Sequence, residues 1–311
     1  MKEKKLTKKR VKKLGLDNAP VITADMLEGY TSIGCNAFSG CNSLTSVIIP
    51  DSITRIGTGA FFDCRILTHI EIPNSVKSIG ESAFWGCTGL TSVTIPDGVT
   101  SIGSSAFSGC SGLSSPVYNA HVFAFMPTSY SGAYQIPNGI KSIAGGAFDN
   151  CTGLTSIIIP NSVTNIGIGA FMYCSGLTSI AIPNSVTNIR IGAFHDCTSL
   201  TSVTIGDKTY EKRTITNGKC KAYKGFSGNM RCRDFQYEEG KTYEYEGEPM
   251  LCCCGYHASL SLSDVFNYYY GKLEKDVIVH EVELEGVTDE RNEFDSKVVA
   301  KKITIGKQII L

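Results

Sequence analysis

Cysteine is the residue type whose spacing in this chain points most directly to chemistry. The sequence has 13 cysteines, and seven of them recur at steps of 23 residues broken once by a step of 41: Cys41, Cys64, Cys87, Cys110, Cys151, Cys174 and Cys197. Thiolates bind metals, form disulfides or act as nucleophiles. A step of 23 residues matches no short metal-ligand spacing, whereas it suits a small, mostly apolar residue at one position of a repeat. We therefore predict a column of free, buried thiols, with disulfides between adjacent rungs as the alternative.

A second group of potential zinc ligands lies towards the C-terminus: Cys220, Cys232, Cys252, Cys253, Cys254 and His257. Apart from the run at 252–254, no closely spaced pair of cysteines occurs, and three adjacent sulfurs cannot easily point at one ion. Three further histidines, at positions 69, 121 and 195, are isolated. We therefore expect no metal and no cofactor, and zinc is kept only as an alternative.

The cysteines belong to a unit that reads roughly C-x-x-L-T-S-V-T-I-P-x-S-V-T-x-I-G-x-x-A-F-x-G. "LTSVTIP" alternates apolar and polar residues, as a half-buried strand does. Proline followed by Asn or Asp then ends the strand in a turn. The Ile-Gly pair offers a position where positive φ is cheap, and Ala-Phe fills the core. Because one coil cannot bury its own apolar edge, each copy is predicted to pack against the next.

This unit resembles the BspA-type leucine-rich repeat family over about residues 35–206. The resemblance implies a right-handed, curved solenoid that serves in binding and has no catalysis of its own. We predict a β-rich α+β protein with about eight 23-residue coils and a small C-terminal α+β domain. At ~4.8 Å per rung the stack is expected to be about 40 Å long.

The boundaries follow from where the repeat begins, breaks and stops. Residues 1–28 are predicted to be a basic arm and the start of a cap, and 29–206 the solenoid. Residues 114–136 lengthen one period and are predicted to form an irregular coil that bulges from the stack. A linker is expected at 207–215 and the C-terminal domain at 216–311.

Binding in a solenoid depends on its variable exposed positions, and the position after Ala-Phe varies most in chemistry. We predict a surface patch there: Phe62, Trp85, Met172 and His195. Phe62 and Trp85 fall on adjacent coils and are expected to stack as an interaction patch for a protein or a glycan. The alternative is that they lie under the N-terminal segment. The Thr and Ser residues of the strand face favour a soluble face with good β propensity, and a ligand-gripping surface is the alternative.

The C-terminal segments "KAYKGF", "CRDFQYEEGKTY", "LCCCGYHAS" and "DVFNYY" resemble a domain of unknown function associated with phages and gut bacteria. That resemblance brings no known activity. A short helix is predicted through "DVFNYY", with strands before and after it. The order of "YKGF", "GYHASLS" and "VHEVELE" along the chain is also similar to the strand order of ADP-ribosyltransferases. That second similarity implies alternative catalytic positions: Lys224, Ser259, Ser261, Glu281 and Glu283. Lysine stands where that family has an arginine that clamps a diphosphate bidentately.

Charge and hydropathy bound the remaining classes. Lys+Arg and Asp+Glu are both 29, which argues against a nucleic-acid partner apart from the basic N-terminal run. That run is predicted to be a solvated, frayed tail. No apolar run approaches the ~18 residues of a membrane span, and no secretory signal follows the basic start. A cytoplasmic or virion-associated location is expected. The sequence thus predicts a non-catalytic protein- or glycan-binding scaffold, related to phage or host interaction. The alternative is an ADP-ribosyltransferase-like enzyme that the solenoid targets.

Overall fold

The computed structural model describes residues 4–213, 219–227, 231–232, 235–246, 256–262, 265, 277–288 and 297–309. The first part holds one short α-helix, α1 (Lys8–Lys13), and two single-turn 3-10 helices at Leu16–Asn18 and Asp25–Leu27. Its strands are, in chain order, β1 (Lys5–Leu6), β2 (Val21–Ile22), β3 (Ser32–Ile33), β4 (Ser46–Ile48), β5 (Arg55–Ile56), β6 (His69–Glu71), β7 (Ser78–Ile79), β8 (Ser101–Ile102), β9 (Val117–Tyr118), β10 (Val122–Phe125), β11 (Ser131–Gln135), β12 (Ser142–Ile143), β13 (Gly153–Ile158), β14 (Asn165–Ile166), β15 (Ser179–Ile182), β16 (Asn188–Ile189), β17 (Ser202–Ile205) and β18 (Lys208–Glu211).

The short strands that carry the Ile-Gly pair stack into a parallel ladder, which confirms the predicted solenoid. Five rungs form the order β1-β3-β5-β7-β8, and four more form β10-β12-β14-β16. The total of nine rungs exceeds the predicted eight coils because β1, in the N-terminal segment, adds one. The "LTSVTIP" strands form the second surface of the coils, in the orders β2-β4-β6 and β11-β13-β15-β17-β18.

The glycine of the Ile-Gly pair has a different role from the one predicted. None of Gly57, Gly80, Gly103 and Gly167 has positive φ. A Cβ on Gly80 would instead lie 2.4 Å from the backbone nitrogen of Thr58 on the preceding coil. Glycine is therefore required there because two backbones approach too closely for any side chain.

Phenylalanine builds the core as two stacked columns. Phe38, Phe61, Phe84 and Phe107 lie 5.2–5.3 Å apart between ring centroids. Beyond the irregular coil, Phe123, Phe148, Phe171 and Phe194 repeat this at 4.8–5.6 Å. Each ring therefore buries the next one, and the apolar side chains that no single coil can cover are removed from water by stacking.

The thiol column is buried and free, as predicted. Each Sγ from Cys64 onward donates a hydrogen bond to a carbonyl of the preceding coil. The acceptor is Phe61 O for Cys87 at 3.1 Å and Phe148 O for Cys174 at 3.1 Å. Burial raises the pKa of Cys151 to about 12, which disfavours the reactive thiolate. Cysteine recurs because this position needs a small apolar group that also donates one weak hydrogen bond.

The irregular coil at 114–136 is part of the stack and does not simply bulge from it. Strand β10 pairs in parallel with β12 and antiparallel with β9. Asn119 ties its loop down: Nδ2 donates to Pro96 O at 3.0 Å and Val99 O at 2.7 Å, and Oδ1 accepts from the amides of His121 and Val122. The buried side chains of β10 divide between the two halves of the core.

Both ends of the solenoid are more ordered than the sequence indicates. The basic arm is not frayed over residues 4–13, because Leu6 and Val11 are fully buried and anchor β1 and α1. Thr7 caps the helix by accepting a hydrogen bond from the amide of Arg10. At the other end, the predicted linker at 207–215 contains β18, which pairs antiparallel with β17.

The C-terminal part forms a closed antiparallel sheet. Its strands are β19 (Lys219–Ser227), β20 (Arg231–Cys232), β21 (Phe235–Gln236), β22 (Thr242–Glu244), β23 (Tyr256–Ser259), β24 (Val277–Thr288) and β25 (Lys297–Ile309). Strand β19 pairs with β23 and β24, and β25 pairs with the same two strands, so that four strands close into a ring. Most of the predicted helix at "DVFNYY" lies outside the described residues.

This closed four-stranded sheet, called the C-terminal ring, packs against the last coil of the solenoid. The phenol of Tyr223 donates to Glu211 O at 2.9 Å, and its ring contacts Tyr210 edge-on at 6.1 Å. Arg213 lies 5.5 Å from the Tyr223 ring centroid and pairs with Glu281 at 3.0 Å. Tyr223 belongs to the same buried cluster as the second solenoid core, so the ring covers the end of the array.

Candidate binding surfaces

Phe62 and Trp85 form a stacked aromatic pair on adjacent coils. Their ring centroids are 4.7 Å apart and their planes differ by 9°. The pair is held by the ladder, in which the amide of Asp63 donates to Trp85 O at 2.7 Å. Trp85 is 39% exposed, so the N-terminal segment does not cover it. The next coil has Ser108 and Gly109 at this level, which are too small to cover the indole ring.

Met172 and His195 occupy the same position of the unit but lie in the second half of the solenoid. The residues between them and the aromatic pair at this position are Ser108 and Asp149. The structure therefore separates the four predicted residues into two pairs rather than one patch. Burial raises the pKa of the Asp149 carboxyl above its ordinary value.

Tyr173 belongs to the second pair, and the sequence analysis missed it. It is 39% exposed, and the ring of His195 lies edge-on 5.8 Å from its own ring. Its φ is 60°, a conformation adopted by Asn150 and Asp196 at the same position of neighbouring coils. A tyrosine is strained there, whereas Asn and Asp tolerate the left-handed region. That departure from the column was the signal that marks Tyr173 as a candidate surface residue.

Threonine side chains on the coil surface mainly hold the coils together. The Thr68 hydroxyl donates to Thr45 O at 3.1 Å, and the Thr201 hydroxyl donates to Thr178 O at 3.3 Å. Each bond joins a coil to the one before it. These donors are engaged by the backbone, which favours a structural role for the Ser/Thr face over a ligand-gripping one.

The proposed catalytic lysine and acids of the C-terminal ring do not converge. Lys224 is directly opposite His280 in the β19–β24 pair, whereas Glu281 is opposite Tyr223. Because successive side chains of a strand point to opposite faces, Lys224 and Glu281 lie on different faces of the sheet. Lys224 is buried, with its Nζ 5.4 Å from the Tyr237 ring centroid.

The remaining positions of that alternative are separately occupied. Glu283 lies 3.9 Å from Lys221 in an exposed ion pair. Ser259 and Ser261 are buried, and Ser259 pairs with Tyr223 on the face opposite Lys224. The structure therefore brings Ser259 to the face of Glu281 but separates both from the lysine.

Metal sites and membrane spans are the remaining candidate features of the described residues. There, no group of three His, Cys, Asp or Glu side chains is arranged to hold a metal ion. The run Cys252–Cys254 lies outside the described residues. Within the part of the chain that the structure covers, no helix has the length and apolar character that crossing a bilayer requires.

Comparison with protein families gives two matches. The model of the BspA type leucine rich repeat region matches residues 17–133 and 121–222, which together cover 206 of the 311 residues. A domain of unknown function, DUF7666, matches residues 220–311. No curated protein matches the chain.

Several solved structures are similar to the chain. A leucine rich cell surface protein from Faecalibacterium prausnitzii is 34% identical over 66% of this chain and 51% of its own, with a TM-score of 0.41. A leucine rich repeat protein from T. pallidum is 27% identical over 59% of this chain and 78% of its own, with a TM-score of 0.41. One from Eubacterium ventriosum is 24% identical over 60% of each chain, with a TM-score of 0.42. This chain thus spans about half the length of the first.

Proposed function

Because the chain belongs to the BspA-type leucine-rich repeat family, we propose that it is a non-catalytic scaffold that binds a protein partner through Phe62 and Trp85. The observation that carries this proposal is the aromatic pair itself, stacked at 4.7 Å with the indole 39% exposed. Aromatic side chains held rigidly at a surface supply large contact area at little entropic cost. The ladder beneath fixes both rings before any partner arrives.

The surroundings of the aromatic pair favour it as a centre of binding. The Thr hydroxyls bond to neighbouring coils, and the small residues Ser108 and Gly109 flank the indole. At this position the next coil therefore places no large side chain over the indole. Truncating an aromatic residue at the centre of an interface commonly costs ~2–4 kcal/mol of binding free energy.

The test compares quantitative affinity purification by the full chain with that by Trp85→Ala. The matched control is Ile168→Ala, which removes an apolar side chain 42% exposed in the second half of the solenoid. We expect a protein retained by the chain and by the control to be lost with Trp85→Ala. Retention by all three proteins would refute this surface. Binding to a glycan array that depends on Trp85 would instead assign the pair to a carbohydrate.

The finer setting of this function is also a proposal. The similarity of the C-terminal segments to a domain associated with phages and gut bacteria supports a partner presented by a host cell or a virion. A cytoplasmic or virion-associated location accords with it. Immunogold labelling of infected and uninfected cells with an antibody to the solenoid tests both.

A further inference from the structure

The N-terminal end of the solenoid concentrates positive charge in a folded cap. Residues 4–13 contain seven Lys or Arg residues and no Asp or Glu. All seven are exposed, while Leu6 and Val11 between them are fully buried. The charges are therefore fixed on an ordered surface instead of being spread over a mobile tail.

These cations are not neutralised by neighbouring acids. Residues 14–30 add three acids and no Lys or Arg, so residues 4–30 have a net charge of seven minus three, or +4. None of the ion pairs found among the described residues involves a residue of 4–13. Their contacts are with neutral groups, such as Arg10 with the Tyr30 hydroxyl at 3.0 Å and Lys8 with Ser39 O at 3.2 Å.

The geometry of α1 (Lys8–Lys13) directs part of this charge outward. At about 100° per residue, Lys9 and Lys13 are each about 200° from Val11, which faces the core. Both therefore point away from the protein. A helix of six residues is about 9 Å long, close to the ~8 Å Debye length at physiological salt. The cations thus act on an approaching surface as one cluster.

Exposed apolar side chains lie in the same cap. Leu14 directly follows α1 and is 44% exposed, while Val21 and Met26 are 41% and 42% exposed. A phosphodiester backbone is mainly charged and polar and offers aliphatic side chains little to contact, whereas the interface of a bilayer takes up both lysines and aliphatic groups.

We propose that this cap docks the protein onto a lipid bilayer surface rich in anionic lipid. Val11, the one apolar residue of α1, faces the solenoid core, so the helix does not insert. Attachment is electrostatic, with Leu14 and Met26 making shallow apolar contacts. The proposal is independent of the partner bound at Phe62 and Trp85, which lie on later coils.

The experiment measures cosedimentation of the full chain with vesicles of phosphatidylglycerol and phosphatidylcholine, and with phosphatidylcholine alone. We expect binding only to the anionic vesicles, and loss of it as the Debye length falls from ~10 Å at 0.1 M to ~3 Å at 1 M salt. The double variant Lys9→Glu/Lys13→Glu should weaken binding by about thirtyfold or more, at roughly fivefold for each lysine lost.

Two further variants make the result specific. Lys77→Glu/Lys141→Glu reverses two exposed lysines outside the cap and should bind as the unaltered chain does. Leu14→Ser/Met26→Ser should weaken vesicle binding several-fold with the charge unchanged. Circular dichroism establishes that all variants are folded.

The proposal fails if anionic vesicles are not bound, or if the remote variant loses as much as the cap variant. It also fails if a double-stranded oligonucleotide binds more tightly than the vesicles and Leu14→Ser/Met26→Ser has no effect. That outcome would assign the cap to nucleic acid.

Discussion

The solenoid and the C-terminal ring solve the same problem, covering apolar side chains, in opposite ways. Within each half of the solenoid, the core Phe rings pack on those of the adjacent coils, most of them 23 residues away. In the ring, β19 pairs with β24 and β23 with β25, so each strand depends on partners far along the chain. The stability of the solenoid is therefore approximately a sum of similar interfaces between adjacent coils, whereas the strands of the ring must form together.

This difference determines how far the loss of one contact destabilises each region. A lost contact in the array affects one interface and the coils on either side of it. A lost contact in the ring affects every strand, because the ring has no independent part. The predictions below test this contrast, beginning with the largest expected effect.

Truncating one core aromatic in each region should separate the two behaviours most clearly. Phe84→Ala and Phe226→Ala each remove a fully buried phenyl group, at a cost of about 3–5 kcal/mol in the free energy of unfolding. Hydrogen exchange followed by mass spectrometry should show that Phe84→Ala loses protection only in the coils next to residue 84. Phe226→Ala should lose protection in every strand of the C-terminal ring. Equal spread in both variants would contradict the comparison.

The thiol column should make the solenoid sensitive to high pH. Burial raises the pKa of Cys151 to about 12, so its neutral thiol is favoured by folding. That stability is fully present below the ordinary thiol pKa of about 8.5 and is lost as pH rises from there towards 12. Denaturation midpoints at increasing pH should fall for the unaltered chain. In Cys151→Ala the fall should be smaller.

Removing the thiol donor should cost the array an intermediate amount. Cys87→Ala leaves Phe61 O without its Sγ donor and opens a small gap, which we expect to lower the free energy of unfolding by about 1–2 kcal/mol. Cys87→Ser keeps a donor and should cost less if the hydrogen bond matters more than the sulfur's bulk. Urea denaturation of both variants decides between these contributions.

The junction tests whether the two regions unfold together. Tyr223→Phe removes the hydrogen bond to Glu211 O and should cost about 1 kcal/mol. In the unaltered chain, the unfolding transitions measured by tyrosine fluorescence and by circular dichroism should coincide. When this contact and the Arg213–Glu281 pair are both removed, the two transitions should separate. A single transition in the double variant would show that the shared apolar contacts suffice.

The smallest effect is expected at Tyr173, where the array carries a strained residue. Tyr173→Asn places a residue that tolerates φ of 60° at this position, and should raise the free energy of unfolding by a few tenths to about 1 kcal/mol. Thermal denaturation measures the gain. A loss of stability would mean that the contact with His195 outweighs the backbone strain.

Local repetition decides what the sequence predicts well. The Phe, Cys and Leu columns, the strands and their stacking follow from a pattern that each coil states again, and the structure confirms them. The basic arm was misjudged because two apolar residues among seven cations anchor it, and their partners lie elsewhere in the chain. The role predicted for the glycine of the Ile-Gly pair is wrong because two different constraints select glycine. A positive φ and a close approach of two backbones both require it, and the sequence looks the same in either case.

The ring was less predictable for a physical reason. Its closure depends on pairings such as Tyr223 with both Ser259 and Glu281, which no local period announces. The candidate catalytic residues illustrate the point: their order along the chain matched a known arrangement, but strand alternation placed Lys224 and Glu281 on opposite faces. For the binding surface, the repeat predicts the stacking of Phe62 and Trp85 on adjacent coils. The separation of Met172 and His195 from this pair follows from Ser108 and Asp149, which occupy the same position of the unit between the two pairs.

The irregular coil also has an evolutionary consequence. Near-identical units such as 78–92 and 101–115 are substrates for unequal recombination, which adds or deletes whole coils without disturbing the ladder. A coil that belongs to both core halves, held by Asn119 and shared by β10, has no such duplicate. The irregular coil is therefore a fixed boundary, or seam, between the two halves of the solenoid. Each array is free to grow or shrink on its own side, so the distance from the basic cap to the aromatic pair and the distance from the seam to the ring can change independently.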